Sequence, residues 1–387
     1  MEPKTAAHAR MDAVRADLIA LSHRIHAHPE LGFEEERAST WLAEILTDAG
    51  FAVTRGICDL PTAFLARAGS GPLHLAICAE YDALPGIGHA CGHNIIAAMA
   101  AGAGIAAAEA ADDVGLTVHV IGTPAEEMGG GGKILLLERG AFAGMHAAMM
   151  VHPGPAENLT PVSLANAYFE VRYTGKAAHA AAFPERGINA ADAMTIAQVA
   201  LGLLRQHIRA TDRIHGIVTK GGDAPNIIPA HTAAKYAVRA ETLDDLEAIR
   251  TKVLRCFEAG ALATGATLEL GGQRRPYAQL RHDPDIAAAY RRNAEALGRV
   301  FPDPIAASRP GGSTDMGNVS LALPSIHPRI SIDSLPATNH QPEFAAHCVA
   351  PAADQALVDG ALAMAWTAID LATTATIRRR LLGATSA

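Results

Sequence analysis

The stretch GIGHACGHN, Gly86 to Asn94, sets a cysteine and two histidines among glycines. Cys91 and His93 stand two residues apart, a spacing that does not bring two side chains to one point on a regular helix or strand. The glycines permit an irregular backbone on which they can converge. A thiolate and an imidazole suit a borderline-soft ion such as zinc, so the stretch predicts a metal-binding loop. The N-terminus of the helix that follows also favours the thiolate.

Two other interpretations of this loop stay open on these residues alone. It can be a structural turn that holds a buried cysteine and a surface histidine. Alternatively, Cys91 can be a nucleophile, which requires a neighbouring base and an orienting group. His93 is too near in sequence to point easily at the Cys91 sulfur, so the pattern favours the metal site over the nucleophile.

A pair of adjacent carboxylates, Glu126 and Glu127, follows a predicted strand at residues 116–122. Open α/β sheets place their sites at this carboxyl end of the strands. Adjacent side chains on an extended segment point in opposite directions, so one carboxylate can bind a metal while the other acts as a base. A solvated acidic turn is the alternative. The glycines that follow lack the spacing of a phosphate-binding loop.

Two further histidines are weak signals individually but add to this pattern. His152 comes directly after a predicted strand, and His340 lies in the loop sequence TNHQPEF. With Cys91, His93 and Glu127 they make one cysteine, three histidines and a glutamate on four loops. Such a combination is typical of a metal centre.

The elements that must position these loops alternate between strand and helix. In the first part we predict helices at residues 11–27, 34–49, 94–110 and 131–139, and strands at 62–66, 73–79, 116–122 and 147–151. This order predicts an α/β fold with a helix-covered, mostly parallel sheet. The order changes to β-α-β-β-α-β between residues 167 and 270, which is typical of a ferredoxin-like α+β unit.

We therefore predict three segments. Residues 1–165 are the first part of a catalytic metal-binding domain, 166–272 an inserted ferredoxin-like domain, and 273–387 the second part of the catalytic domain. A terminal helix is expected at residues 351–372. A length of 387 residues fits two domains.

Composition excludes several classes of function. The net charge is −8, and no basic cluster with interleaved aromatic residues indicates nucleic-acid binding. The longest uncharged apolar run is shorter than a membrane span. Five scattered cysteines and the absence of an N-terminal signal pattern predict a cytoplasmic protein.

Eight ordered motifs carry a resemblance that covers nearly the whole chain: HAHPELGFEE, EYDALPGIGHACGH, PAEE, VHPGP, AAHAAAFPERGINA, NIIP, GGSTDMGN and NHQPEF. In these the chain resembles the di-metal aminoacylase/carboxypeptidase family of metallopeptidases, in its amidohydrolase branch. That branch includes aminoacylase-1-like dipeptidases, aminobenzoyl-glutamate hydrolases and indole-acetyl-amino-acid hydrolases.

The resemblance implies a role for each candidate residue. It implies Glu126 as the general base and His179 as an oxyanion donor that reaches the site of the other subunit. It implies Asn226 and Arg239 as substrate contacts and Asp82 as the residue that orients a ligand. The implied metal ligands are Cys91, His93, Glu127, His152 and His340.

The resemblance also implies a function. We expect two divalent ions, zinc or alternatively manganese or cobalt, and a homodimer formed through the inserted domain, which also acts as a lid. The expected reaction is hydrolysis of an N-acyl amino acid or a dipeptide by a metal-activated water. A metal-dependent deaminase or aryl-amine hydrolase, and a non-enzymatic metal-stabilised binding protein, are the alternatives.

The chain departs from the family pattern in one place. Asn94 stands where an aspartate is common in this branch, and the acid that bridges the ions in the carboxypeptidase branch has no obvious counterpart. Cys91 is therefore a candidate bridging ligand.

Overall fold

The computed structural model describes residues 2–272, 274–302 and 312–384. These residues form two compact units. The first comprises the chain up to Val162 together with the chain from Leu280 onward, and the second is Ser163–Gln279. Since the second unit lies within the sequence of the first, it is an insertion.

The helices and strands have the following bounds. The helices are α1 (Pro3–His26), α2 (Glu36–Asp48), α3 (His93–Ala108), α4 (Ala111–Val114), α5 (Gly132–Glu138), α6 (Ala190–Leu204), α7 (Leu243–Thr264), α8 (Pro284–Ala296), α9 (Met316–Ala322), α10 (Pro342–His347), α11 (Pro351–Thr373) and α12 (Ala375–Ala384). The strands are β1 (Ala52–Arg55), β2 (Phe64–Ala68), β3 (Leu73–Ala79), β4 (Leu116–Gly122), β5 (Ala147–Met149), β6 (His152–Gly154), β7 (Ala165–Thr174), β8 (Arg213–Lys220), β9 (His231–Ala240), β10 (Thr267–Gly271), β11 (Ser325–Ile326) and β12 (Arg329–Ser331).

The first unit is built on a six-stranded sheet in the order β1-β2-β4-β3-β5-β11. Strands β4, β3, β5 and β11 are parallel, while β1 and β2 add antiparallel pairs at one edge. A separate parallel pair joins β6 to β12. The predicted mostly parallel sheet is confirmed, and the short β1 and the final helix α12 are elements that the sequence pattern did not indicate.

Helix α3 is buried almost throughout because it consists mainly of alanine, glycine and isoleucine. A Cβ atom on Gly102 would lie 2.7 Å from Leu18 of α1 and 3.3 Å from Ala361 of α11. The glycine therefore allows both helices to approach α3 closely.

Among the described helices, α11 alone is long and apolar enough to cross a membrane, and 83% of its apolar stretch is buried inside the structure. It serves as a core helix.

The second unit confirms the predicted β-α-β-β-α-β order. Its sheet is antiparallel throughout, in the order β10-β7-β9-β8. Helices α6 and α7 pack against it over an aromatic core in which the Tyr236 and Phe257 rings lie 4.9 Å apart. Helix α6 begins at Ala190 because Asn189 caps it by accepting hydrogen bonds from the Ala191 and Asp192 amides.

Three histidines from neighbouring strands of the first sheet form a cluster. His119 Nε2 lies 3.2 Å from His74 Nδ1, and His146 Nδ1 accepts a hydrogen bond from the His74 amide at 3.0 Å. Burial lowers the pKa of His119 to about 4, and the neighbouring His74 and Arg67 act in the same direction. His119 is therefore neutral in the folded protein at neutral pH.

We expect this cluster to make the first unit less stable in mild acid. The unfolded chain binds a proton at His119 near pH 6.5, whereas the folded chain does so only near pH 4. Stability is therefore complete above pH 6.5 and falls as the pH drops toward 4, by about 3 kcal/mol at most. Urea unfolding of the wild type and His119→Gln at several pH values, with a chelator present, measures this loss.

The variant should lose less stability than the wild type between pH 6.5 and 4. His8→Gln, which removes an exposed histidine of α1, is the matched control and should follow the wild type. Parallel pH dependences of the wild type and His119→Gln would contradict the assignment.

Candidate metal centre

A glycine turn brings Cys91 and His93 together at the start of α3. Gly92 has a φ of +82°, and a Cβ atom there would lie 2.5 Å from Pro153 Cγ. Only glycine fits this left-handed conformation and this close contact. Cys91 and His93 thereby converge with His152 of β6, and their ligand atoms all lie within 4.8 Å of one another. The convergence predicted from the glycines is present in the structure.

Two sets of donor atoms share the Cys91 sulfur. The first is Cys91, His93 and His152, in which Sγ lies 3.5 Å from His152 Nε2. The second is Cys91, Glu127 and His340, in which Glu127 Oε1 lies 3.4 Å from His340 Nε2. All five predicted metal ligands therefore meet, and they meet as two groups with one common atom.

The donor atoms suit a metal ion. His93 Nε2 and Glu127 Oε1 are buried and have no hydrogen-bond partner within the described residues. Buried polar atoms in proteins are almost always satisfied, so such atoms require an explanation. Sulfur, imidazole nitrogen and carboxylate oxygen together are ligands that zinc and related divalent ions accept. The residues present therefore fit the ions that the family resemblance implies.

Asp82 contacts two of these candidate ligands. Its Oδ1 lies 2.9 Å from His93 Nδ1, and its Oδ2 accepts a hydrogen bond from the Glu127 amide at 2.8 Å. The His93 Nδ1 proton is held by Asp82, which leaves Nε2 available as a ligand atom. Burial alone would lower the pKa of His93, but the Asp82 and Glu80 carboxylates raise it well above its ordinary value.

Glu126 lies between this centre and a second acidic group. One of its oxygens lies within 4.8 Å of donor atoms of His93 and Glu127, and one lies within 4.8 Å of carboxylate oxygens of Glu80 and Asp315. Its side chain is buried, and burial raises its pKa well above the ordinary value, with the surrounding carboxylates acting in the same direction. A carboxylate held next to the ligands with a raised pKa is suited to general acid–base catalysis.

A buried cation behind Glu126 was not found by reading the sequence. The Lys133 ammonium donates hydrogen bonds to Glu80 Oε1 and, at 2.7 Å, to Asp315 Oδ1, while the Lys133 amide donates to Asp315 Oδ2 at 2.9 Å. All three side chains are fully buried. Asp315 is the only charged residue of the motif GGSTDMGN. This isolated charge was the one feature of the sequence that could have indicated a role for Asp315.

Glu35, also missed, supports the loop that carries the paired glutamates. Its Oε1 accepts a hydrogen bond from the Ala125 amide at 2.8 Å, and its Oε2 accepts one from Thr62 Oγ1 at 3.0 Å. Burial raises the pKa of Glu35 to about 7, and the nearby Asp82 carboxylate contributes to the rise.

Two strained residues lie in the loops that carry the ligands. Ala125 and His340 have φ values of +56° and +70°, a region that costs about 1–3 kcal/mol for residues other than glycine. Hydrogen bonds offset the strain, since Glu35 accepts from the Ala125 amide and the Ala90 carbonyl accepts from the His340 amide at 2.8 Å. The Glu35–Ala125 hydrogen bond holds the loop that carries Glu126 and Glu127. The Ala90–His340 hydrogen bond holds His340 next to the turn that carries Cys91.

Asn94, the second residue of α3, is buried. Its Nδ2 donates hydrogen bonds to Ser22 Oγ at 2.9 Å and to the Cys348 carbonyl at 3.1 Å. The side chain therefore connects α3 to α1 and to the segment before α11.

The remaining predicted residues lie in the second unit. His179 is exposed, and its Nδ1 accepts hydrogen bonds from the Ala181 and Ala182 amides at 3.3 and 3.1 Å, which leaves the proton of the neutral ring on Nε2. The Asn226 carbonyl accepts a hydrogen bond from the Ala180 amide at 3.0 Å. The structure thus places His179 and Asn226 side by side, whereas Arg239 lies on β9.

Comparison with known proteins agrees with this geometry. The sequence model of a family described as a peptidase dimerisation domain matches residues 165–264. The Xaa-Arg dipeptidase of Mus musculus is 38% identical over 95% of this chain and 88% of its own length. One of the subunits of p-aminobenzoyl-glutamate hydrolase from Escherichia coli (strain K12) is 36% identical over 67% of this chain and 58% of its own. A solved structure of a dinuclear metal-binding peptidase of the M20 family from Bacillus subtilis aligns with a TM-score of 0.69 and 22% identity, covering 93% of this chain and 99% of that one.

The sequence similarity to these hydrolases and the donor atoms at Cys91 together show that the chain is a metal-dependent hydrolase of amide bonds. It belongs to the M20 family of metallopeptidases, which is the di-metal aminoacylase/carboxypeptidase family that its motifs resemble. The predictions of fold class, family and enzyme class are confirmed.

We expect Asp82→Asn to weaken metal binding. The amide removes the charge that holds the His93 ring, and loss of such an orienting partner lowers metal affinity about 10- to 100-fold. Titration against a competing chelator, with metal content from elemental analysis, measures the change. Asn94→Asp is the matched control, because it adds a carboxylate one residue from His93 in place of an amide that donates hydrogen bonds to Ser22 and to the Cys348 carbonyl.

Asn94→Asp should bind metal like the wild type and lose stability, since its carboxylate would face the Cys348 carbonyl. Wild-type affinity in Asp82→Asn, or a larger loss in Asn94→Asp, would show that Asp82 does not orient the ligand.

Proposed function

We propose that the protein hydrolyses the amide bond of N-acyl amino acids or dipeptides at a centre of two divalent ions. The observation that carries this proposal is the Cys91 sulfur shared by two donor sets, with the Glu126 carboxylate next to both. Relatives named for Xaa-Arg dipeptidase and for p-aminobenzoyl-glutamate hydrolase support this substrate class. Both names describe an amide bond whose amine side is an amino acid.

We assign one ion to Cys91, His93 and His152, and the other to Cys91, Glu127 and His340. Zinc is the proposed metal because the donors include a thiolate and three imidazoles, with manganese and cobalt as alternatives. When bound, the ions lower the pKa of a water molecule and polarise the carbonyl of the amide. His152 Nδ1 lies 2.7 Å from the Pro153 carbonyl, to which it donates, so its Nε2 is free to bind.

Glu126 is the proposed proton carrier. Its carboxylate accepts a proton from the attacking water and afterwards donates it to the nitrogen of the leaving amine. Its raised pKa suits a group that must hold a proton and release it within one turnover.

The second unit is proposed to complete the site in a homodimer. The matched dimerisation domain and the exposed His179 support this arrangement. His179, through its Nε2 proton, and Asn226 would donate hydrogen bonds to the oxyanion, and Arg239 would bind a substrate carboxylate. Five free cysteines support a reducing, cytoplasmic location.

A mass-spectrometric screen tests the reaction class. Zinc-, manganese- and cobalt-loaded protein is incubated with N-acyl amino acids, folate fragments and dipeptides, and the released amines are identified. Release of free amino acids is expected. Ammonia as the only product would indicate a deaminase, and a metal-loaded protein inert on the whole panel would indicate a binding protein.

We expect Glu126→Gln to retain its metal and lose turnover. The amide cannot accept the proton, and general base catalysis contributes about 10²- to 10⁴-fold. The measurement is kcat with metal content determined on the same sample. Full turnover on every cleaved substrate in a metal-loaded variant would exclude Glu126 as the base.

A hybrid dimer should regain activity from two inactive variants. A His179→Ala subunit keeps its own Glu126, and a Glu126→Gln subunit can supply His179 to it, so one site of the two is complete. Dimers that carry two different tags are isolated by successive affinity steps and assayed. Activity near half that of the wild type is expected, and activity no greater than that of the parents would contradict a role across the interface.

A further inference from the structure

Two side chains that neither the motifs nor the proposed mechanism use lie beside His152. They are His327, which precedes β12, and Arg329, the first residue of β12. Strand β12 runs parallel to β6, and Arg329 is the direct partner of His152 in that pairing. Residues opposite one another in a sheet present their side chains on the same face. Arg329 therefore shares a face with His152, whose Nε2 lies 3.5 Å from Cys91 Sγ.

The His327 ring is buried. The residue is only 5% exposed, and neither ring nitrogen has a hydrogen-bond partner within the described residues. The ring centroid lies 5.5 Å from that of His152. The neighbouring His282 contacts the His327 main chain, where its Nδ1 accepts a hydrogen bond from the His327 amide at 3.4 Å. An imidazole buried with both nitrogens unsatisfied is costly unless a ligand pairs with it.

The Arg329 guanidinium also has no hydrogen-bond or ion-pair partner among the residues that the structure describes. It is half-buried, and across residues 2–272, 274–302 and 312–384 it makes no hydrogen bond or ion pair, although its main chain pairs with Asn158. Its stem packs over Gly154, where a Cβ atom would lie 3.5 Å from Arg329 Cδ. Arg299 of the same unit provides a comparison, because this similarly enclosed arginine contacts the Asp359 carboxylate at 2.7 Å and the Glu157 carboxylate at 3.3 Å.

We propose that Arg329 and His327 form a subsite for the terminal carboxylate of the substrate, on the amino acid that leaves as the amine. The inference rests on the proposed function, whose substrates all carry a carboxylate at this end. A guanidinium binds a carboxylate through two parallel hydrogen bonds, and a neutral imidazole adds a third donor. The subsite lies wholly within the first unit, and it is a separate anchor from Arg239 of the second unit.

The experiment compares each ligand with its carboxamide. An N-acetyl amino acid and the corresponding α-carboxamide differ only in the group that the subsite would bind. Their dissociation constants are measured by calorimetry on metal-loaded Glu126→Gln, which should bind them without cleavage, and on the same protein carrying Arg329→Met, Arg329→Lys, His327→Phe or Arg239→Met. Metal content and melting temperature are recorded for every variant.

We expect Arg329→Met to weaken binding of the carboxylate ligand about 10- to 100-fold and to leave binding of the carboxamide almost unchanged. Arg329→Lys should recover part of the loss, because it restores the charge without the paired geometry. His327→Phe should show a smaller loss in the same sense. Arg239→Met tests the carboxylate contact proposed for the second unit in the same way, and a loss in Arg329→Met that is specific to the carboxylate ligand is expected whatever Arg239→Met does.

Equal weakening of both ligands in Arg329→Met, or discrimination lost in Arg239→Met alone, would overturn the inference. This failure is distinct from failure of the proposed function, in which the protein with intact Glu126 cleaves no member of the panel. If Arg329→Met loses its metal or its folded state, Arg329→Lys and His327→Phe decide the question by the same comparison of the two ligands.

Discussion

The Lys133 ammonium lies between the Glu80 and Asp315 carboxylates. Glu126 lies next to these two carboxylates and next to the candidate metal ligands His93 and Glu127. The contact of Lys133 with the two carboxylates joins the end of β3, the start of α5 and the residue before α9, which are far apart in the chain. Burying charges is costly unless they are paired, and removing one partner of such a group leaves an uncompensated charge in the interior. Lys133 therefore holds the Glu80 and Asp315 carboxylates in position and stabilises their negative charge.

The charge around this contact is nevertheless unbalanced in the protein alone. The buried carboxylates of this contact and of the donor sets are Glu80, Asp82, Glu126, Glu127 and Asp315, and the buried Glu35 lies near Asp82. Lys133 and a protonated His93 supply two positive charges against them. Divalent ions at the Cys91 donor sets would add positive charge beside these carboxylates, since bound cations are the largest local charges in such a site. The same buried carboxylates therefore give the candidate centre its negative charge and its expected affinity for metal ions.

Much of this site could be predicted because it follows strand ends and glycines, which leave local patterns. Cys91 and His93 were found from their spacing in a glycine loop, and Glu126 from its place after a buried strand. The Lys133 network could not be found in this way, because its partners are 53 and 182 residues away and their pairing depends on the completed sheet. His327 and Arg329 carry no local signal either, because they are distinguished only by side chains that have no hydrogen-bond partner within the described residues.

The ionisation of Cys91 shows how burial changes a conclusion drawn from local structure. The residue stands at the N-terminus of α3, where the helix dipole favours a thiolate. In the folded protein burial dominates, and together with the Glu127 charge it raises the pKa of Cys91 well above its ordinary value. A thiolate in this pocket therefore requires a cation beside it, and metal binding at such a cysteine is coupled to release of its proton. The sulfur that both donor sets share is thus neutral in the protein alone and carries its charge only when the site is filled.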